Sequence, residues 1–187
     1  LRPLNMYFIV DTSTSMLDDE QPTRWGALTS AMKSFFADPG SAPLRVALNF
    51  FPSMTCYSDA SCDSALCQDP VVPLGALEPA YAPADAQEAA LFGALDIVPS
   101  GWTPTMPALT GALEWLQERQ RQRPNEVYVA VMVSDGEPTK CDTDVGSIAA
   151  VAGDYFTSYG IRTYFVGIEG VAESTIEAIA TPSMPTK

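Results

Sequence analysis

Histidine is absent from the 187 residues, which removes Ser-His-Asp and Cys-His catalysis. Bases are scarce: 10 Lys and Arg face 23 Asp and Glu, for a formal charge of −13. Binding to a phosphate backbone draws on clustered cations, so nucleic acid is excluded as a partner and anionic membranes are disfavoured. The few clustered bases, in QERQRQR (117–123), suit a helix C-terminus, where cations are favoured, better than a binding patch. No apolar run approaches 18 residues, so direct membrane insertion is not expected, and no signal peptide is visible. A chain that opens on Leu1 reads as an excerpt, with any targeting segment or lipid anchor outside it. The phosphate-cradling patterns G-x-x-x-x-G-K-[ST] and G-x-G-x-x-G are missing too. So are internal repeats, low-complexity tracts and any linker long enough to divide the chain.

What is present describes a folded globule. Hydrophobic residues make up 47%, aromatics 10% and charged residues only 18%. A chain of this length buries roughly 70% of its unfolded surface, and one domain over 1–187 is the expectation. Four cysteines stand at Cys56, Cys62, Cys67 and Cys141, three of them in the loop CYSDASCDSALC. Zinc sites use closely paired knuckles. These wider spacings favour disulfides and an oxidising, extracytoplasmic setting. The sequence leaves three pairings open.

LNMYFIVD (4–11), LRVALNFF (44–51), EVYVAVMVSD (126–135) and IRTYFVGI (161–168) are apolar runs of strand length with little alternation, the pattern of buried parallel strands. PVVPLGAL carries Pro73 and is at best an edge strand, near 71–77. Helical spacing runs from Arg24 to Ala37 through Trp25, Leu28, Met32, Phe35 and Phe36. Asp85 and Glu88 have capping-box spacing, and Pro107 suits the first turn of a helix burying Leu109, Leu113 and Leu116. Val145, Ile148, Ala152, Tyr155 and Phe156 form another stripe, and a short helix is expected near Ser174 to Ala180. Alternating strands and helices predict an α/β fold: a doubly wound, mainly parallel sheet with helices on both faces. The Pro-, Ser- and Cys-rich segment 52–70 reads as a loop insertion.

Ligands of doubly wound sheets gather at the carboxyl ends of the strands. Two of the most apolar strands end in Asp11 and Asp135. Asp11, Ser13 and Ser15 recur at a spacing of two, which in extended chain points their oxygens to one side. Thr103 and Thr105 lie in a Gly- and Pro-containing loop entering the next helix. Such oxygens suit a hard cation. Neutral hydroxyls as direct ligands, with carboxylates behind water, leave Mg²⁺ electron-poor and attractive to an outside acid. A polar turn whose aspartate caps backbone amides would explain residues 11–15 alone, but not Thr103 and Asp135 at matching places.

DTSTS (11–15), with a threonine in GWTPTMPAL and an aspartate in VMVSDGEPT, resembles the Asp-x-Ser-x-Ser metal-ion-dependent adhesion site of von Willebrand factor A-type domains. The resemblance covers nearly the whole chain. It implies sheet order 3-2-1-4-5, Ser13, Ser15 and Thr103 as direct ligands of Mg²⁺ or Mn²⁺, and Asp11 and Asp135 acting directly or through water. Trp102 stands where many members have a second glycine, which favours Thr103 over Thr105. It is also a candidate partner contact beside the metal. The family's last strand is not supplied by ATPSMPTK and is expected beyond Lys187. DGEPT followed by a cysteine, here Cys141, is similar to bacterial secreted and surface versions. DTSTSMLDD further resembles the integrin β pattern, which implies a second, Ca²⁺ site at Asp18 and Asp19.

The implied function is non-enzymatic: cation-dependent adhesion to a protein presenting Asp or Glu. One alternative is a non-adhesive assembly or scaffold module of a secreted or envelope complex. A remote one is an aspartic-protease-like hydrolase, since FIVDTSTSM also resembles that Asp-Thr-Gly/Ser loop, with Asp142 as partner of Asp11. Composition does not fix the oligomeric state.

Overall fold

A computed structural model describes residues 2–17, 22–56, 62–79, 85–168 and 172–180. Strand β1 (Leu4–Asp11) is the centre of a five-stranded sheet. It pairs in parallel with β2 (Arg45–Phe51) on one side and β4 (Val127–Ser134) on the other. Edge strand β3 (Val72–Ala76) runs antiparallel to β2, and β5 (Arg162–Gly167) runs parallel to β4. The order is β3-β2-β1-β4-β5, as the sequence led us to expect. Pro73 has no N–H to give a ladder, and an edge tolerates that loss.

The helices cover both faces. Tyr7 and Ile9 of β1 point to the side packed by α3 (Thr105–Gln122) and α4 (Val145–Tyr159), through Leu109, Leu113, Leu116, Ile148 and Ala152. Phe8 and Val10 alternate to the other side, packed by Trp25, Met32 and Phe36 of α1 (Arg24–Ala37) and Leu91 of α2 (Ala86–Ala94). A last helix, α5 (Glu173–Ala180), adds Ile179 to the α3 side. Asp85 caps α2 by accepting from Glu88 N at 2.7 Å. β5 departs from the expected burial, with Tyr164 and Val166 about half exposed, because it forms an edge of the sheet.

The cysteines form two disulfides, Cys56–Cys67 and Cys62–Cys141. The first joins the core rather than a polar loop: both sulfurs lie in the α3-side cluster. The 3-10 turn Ser64–Cys67 presses on α3 so closely that a Cβ added to Gly111 would collide with Ser64 O. The second ties this segment to the loop between β4 and α4.

The connection from β1 passes through α1 to β2 on one side, and α3 later brings the chain back to β4 on the other. The switch point of the sheet therefore lies between the carboxyl ends of β1 and β4, the usual ligand crevice of such sheets.

Candidate metal centre

Asp11 ends β1, fully buried, with both carboxylate oxygens engaged. Oδ1 accepts from Ser13 N at 2.7 Å and Oδ2 from the Ser134 hydroxyl at 2.5 Å. Burial pushes the Asp11 carboxyl up to about 6 despite these hydrogen bonds, and the neighbouring Asp135 charge adds to the rise. A group so placed gains from a cation beside it.

After Asp11 the chain makes a short 3-10 turn, Thr14–Met16, which brings alternate hydroxyls together. Ser15 Oγ donates to Asp135 Oδ1 at 2.9 Å, and Ser13 Oγ lies 2.9 Å from Ser15 Oγ. Because the Ser15 proton is committed to Asp135, Ser13 is the donor of the second bond. Two neighbouring ligands of an octahedral Mg²⁺ at 2.0–2.1 Å stand about 2.9 Å apart, so the serine oxygens are already at a workable separation. Arg24 Nη1 completes the cluster, 3.0 Å from Asp135 Oδ2.

Thr103 reaches the same place by a separate route. Ser100 N donates to Thr12 O at 2.6 Å, and Thr14 N to Gly101 O at 3.1 Å. Gly101 N donates in turn to Thr14 Oγ1 at 3.0 Å. This seam lays the 100–103 loop along the 11–15 loop. Gly101 has φ of +100°, and a Cβ there would meet the Pro52 ring at 2.9 Å, so the position requires glycine. Thr139 fixes the far side, accepting from Thr103 N at 2.9 Å and donating its own N–H to Thr103 O.

A surface cavity of about 470 Å³ opens over this seam, lined by Ser13, Ser15, Thr103 and Trp102 among others. Thr105 is not in its wall; that residue opens α3, with its hydroxyl buried and unpartnered among the described residues. Trp102 is 55% exposed on the rim, with Lys140 Nζ 5.2 Å from its ring centroid.

Asp11, Ser13, Ser15 and Asp135 are thus joined in one hydrogen-bonded chain, with Thr103 in the wall beside them. No cluster of three or more His, Cys, Asp or Glu side chains occurs among the described residues. The candidate donors here are instead two carboxylates and three hydroxyls, which fit a hard cation that keeps several waters. Asp18 and Asp19, the candidate second site, lie outside the described residues. Asp142 is not brought to Asp11: it lies in an exposed loop, accepting from Asp144 N. Sequence reasoning missed Arg24, Ser134, Gly101 and the two threonines of the seam. Only Ser134, directly before Asp135, and Thr12 and Thr14, both inside DTSTS, offered a local signal.

No protein-family profile and no curated protein matches the chain by sequence. Solved structures do match by shape. Proximal thread matrix protein 1 from the mussel byssus superposes over 96% of this chain with a TM-score of 0.60 at 15% identity. The manganese-loaded TRAP protein of Plasmodium vivax covers 96% with a TM-score of 0.58 at 16% identity. These neighbours carry a von Willebrand factor A fold. The fold of this chain is von Willebrand factor A-like. An aerotolerance-related membrane protein from Bacteroides fragilis, with multiple mutations to serine, shares it over 96% of the chain (TM-score 0.60, 18% identity). The chain spans 42%, 63% and 88% of these three in turn. In a von Willebrand factor A-like frame the all-β architecture that the protease reading needs is absent.

Proposed function

We propose that this chain is a divalent-cation-dependent protein-binding module. Mg²⁺ or Mn²⁺ would be held by the hydroxyls of Ser13, Ser15 and Thr103, with Asp11 and Asp135 bonded to its waters. The observation that carries this reading is the pair of serine hydroxyls, 2.9 Å apart, on the switch point between Asp11 and Asp135. The manganese-loaded state of the Plasmodium vivax TRAP protein supports the choice of ion within the same fold.

When bound, the cation supplies a Lewis-acidic centre for a carboxylate. The chain's own residues do the rest. Asp11 and Ser134 hold the floor, the Thr14–Gly101 seam sets the spacing of the hydroxyls, and Trp102 with Lys140 offers an amphipathic rim to the partner's flanking residues. The partner would be a protein presenting Asp or Glu, and the two disulfides support an encounter in an oxidising setting outside the cytoplasm. The byssal matrix neighbour lends support to a second reading, a module of extracellular assembly working through the same site.

Titration calorimetry with MgCl₂ tests the metal. Wild type is expected to bind, and at a concentration 100 times Kd the ion adds about 2.7 kcal/mol of stability, visible as a raised Tm. Ser13→Ala and Asp135→Ala lose both the heat and the rise while staying folded in EDTA. Unaltered binding in both variants overturns the assignment. Mg²⁺-dependent self-association in sedimentation would favour the assembly reading over adhesion to a second protein.

A further inference from the structure

Thr103 comes to the candidate centre from the approach to α3 rather than from a strand end, so its place depends on what holds it. The residue is 3% exposed, and its hydroxyl makes no hydrogen bond to another described residue. Its backbone is gripped by Thr139: Thr103 N donates to Thr139 Oγ1 at 2.9 Å, and Thr139 N donates to Thr103 O at 3.1 Å. Thr139 is itself exposed, so water competes for both bonds. It lies in the stretch 135–144, which belongs to no helix or strand, and side chains tie that stretch down instead. Glu137 Oε1 accepts from the Thr175 hydroxyl at 2.7 Å, Lys140 stands over Trp102, and Cys141 is bonded to Cys62. Of these ties the disulfide alone is covalent, and its other end is firm. Cys62 precedes the 3-10 turn Ser64–Cys67, which is fixed to the core by Cys56–Cys67 and to α3 by Ser64 Oγ donating to Glu114 Oε2 at 3.0 Å. The restraint thus closes on itself, from α3 through the turn, the bridge and Thr139 back to the residue that leads into α3. Both bridged cysteines are held at positive φ, 51° and 67°, so without the bridge these turns relax and the chain shifts two residues from Thr139.

We propose that Thr139 is a positioning residue for Thr103, and that the Cys62–Cys141 disulfide holds Thr139 in place, so that the bridge sets the affinity of the site for its cation. With the bridge intact, the clamp between the two threonines stays closed against water and the Thr103 hydroxyl stays in the cavity wall beside Ser13 and Ser15. Without it the clamp loosens, the hydroxyl moves off, and a water takes its place on Mg²⁺, which gives up water reluctantly in any case. The bridge also restricts the unfolded chain, but that effect shifts the folding equilibrium and leaves the affinity of folded molecules unchanged. This inference rests on the cation reading above and deepens it by naming what keeps one ligand of that site in position.

The test is calorimetric titration of MgCl₂ into wild type, Thr139→Val, Thr139→Ser, Cys62→Ala with Cys141→Ala, the triple variant that adds Thr139→Val to that pair, and Ser13→Ala. Each is checked for its fold by melting in EDTA. Thr139→Val keeps the shape but removes the acceptor for Thr103 N, and is expected to weaken Mg²⁺ binding about 10-fold, the low end of what partners behind a metal ligand are worth. Thr139→Ser keeps the hydroxyl and is expected within about twofold of wild type. The cysteine pair is expected to weaken binding about 10-fold as well, and the triple variant by little more than either parent, because both act through one clamp. Wild-type affinity in Thr139→Val or in the cysteine pair overturns the proposal. So does a loss of roughly 100-fold in the triple variant, which would make the two effects independent. Equal weakening in Thr139→Ser and Thr139→Val overturns it too, by removing the hydroxyl from the account. Should the cysteine pair not fold as alanines, Cys62→Gly with Cys141→Gly suits the positive φ and carries the same comparison. Binding by wild type but not by Ser13→Ala keeps the cation reading intact whatever the other variants do. Absence of binding throughout defeats both.

Discussion

Asp144 shows how a single carboxylate can tie stability to pH. It precedes α4 and accepts from both the backbone N–H and the hydroxyl of Ser147, at 2.7 and 3.0 Å. The backbone bond, then the hydroxyl bond, holds its carboxyl below the ordinary value of 3.8. A group depressed on folding stabilises the fold above its unfolded value and loses that contribution as pH falls through its folded one. The Tm gap between wild type and Asp144→Ala is therefore expected to be full at pH 6 and to close below pH 3.8. A gap that stays constant from pH 6 to pH 2.5 would show that the charge contributes nothing. Asp11 has the opposite sign: burial raises its carboxyl, so its ionisation costs the unloaded fold stability.

At the scale of elements, two glycines in helices give opposite predictions. Gly93 lies in α2 with nothing within 4 Å of an added Cβ, so Gly93→Ala is expected to stabilise by about 0.5–1 kcal/mol through helix propensity alone. Gly111 lies in α3 against the backbone of Ser64 and Cys67, and an added Cβ would collide with Ser64 O and stand 3.0 Å from the Cys67 carbonyl carbon. There the same propensity gain is outweighed by overpacking of about 1–3 kcal/mol, and Gly111→Ala is expected to destabilise. Urea unfolding of the two variants measures both signs. A stabilised Gly111→Ala would mean that the disulfide-closed turn is not seated on α3.

Across the whole molecule, Cys62–Cys141 spans 79 residues and joins the segment after β2 to the loop after β4, on the rim that carries the candidate metal centre. Closing a loop that long restricts the unfolded chain by about 4.5 kcal/mol in the chain-entropy model. Both cysteines sit at positive φ, 51° and 67°, which L-residues seldom adopt, so relaxation of these turns offsets part of that gain. Cys62→Ala with Cys141→Ala is expected to lower unfolding stability by about 2–4 kcal/mol while leaving the five-stranded sheet folded. Guanidinium titration followed by far-UV circular dichroism reads this out, and an unchanged midpoint would contradict it.

The sequence by itself determined the frame. Apolar runs bounded by acids and turn residues fix where strands stop, and stripes at three and four residues fix helices, because both are local periodicities of burial. α1 begins and ends where its stripe does, at Arg24 and Ala37, and β1 occupies LNMYFIVD in full. Asp11, Ser13 and Ser15 were legible for the same reason: their spacing and their place behind a strand are local. Which residues surround them was decided only by the tertiary structure. Arg24 meets Asp135 across 111 residues, Ser134 meets Asp11 across 123, and Gly101 meets Thr14 across 87. Chain periodicity carries no information about such encounters, since they depend on which strand ends lie side by side. The core position of Cys56 and Cys67 was hidden likewise, because a polar loop acquires a buried face only once α3 is present to pack against it.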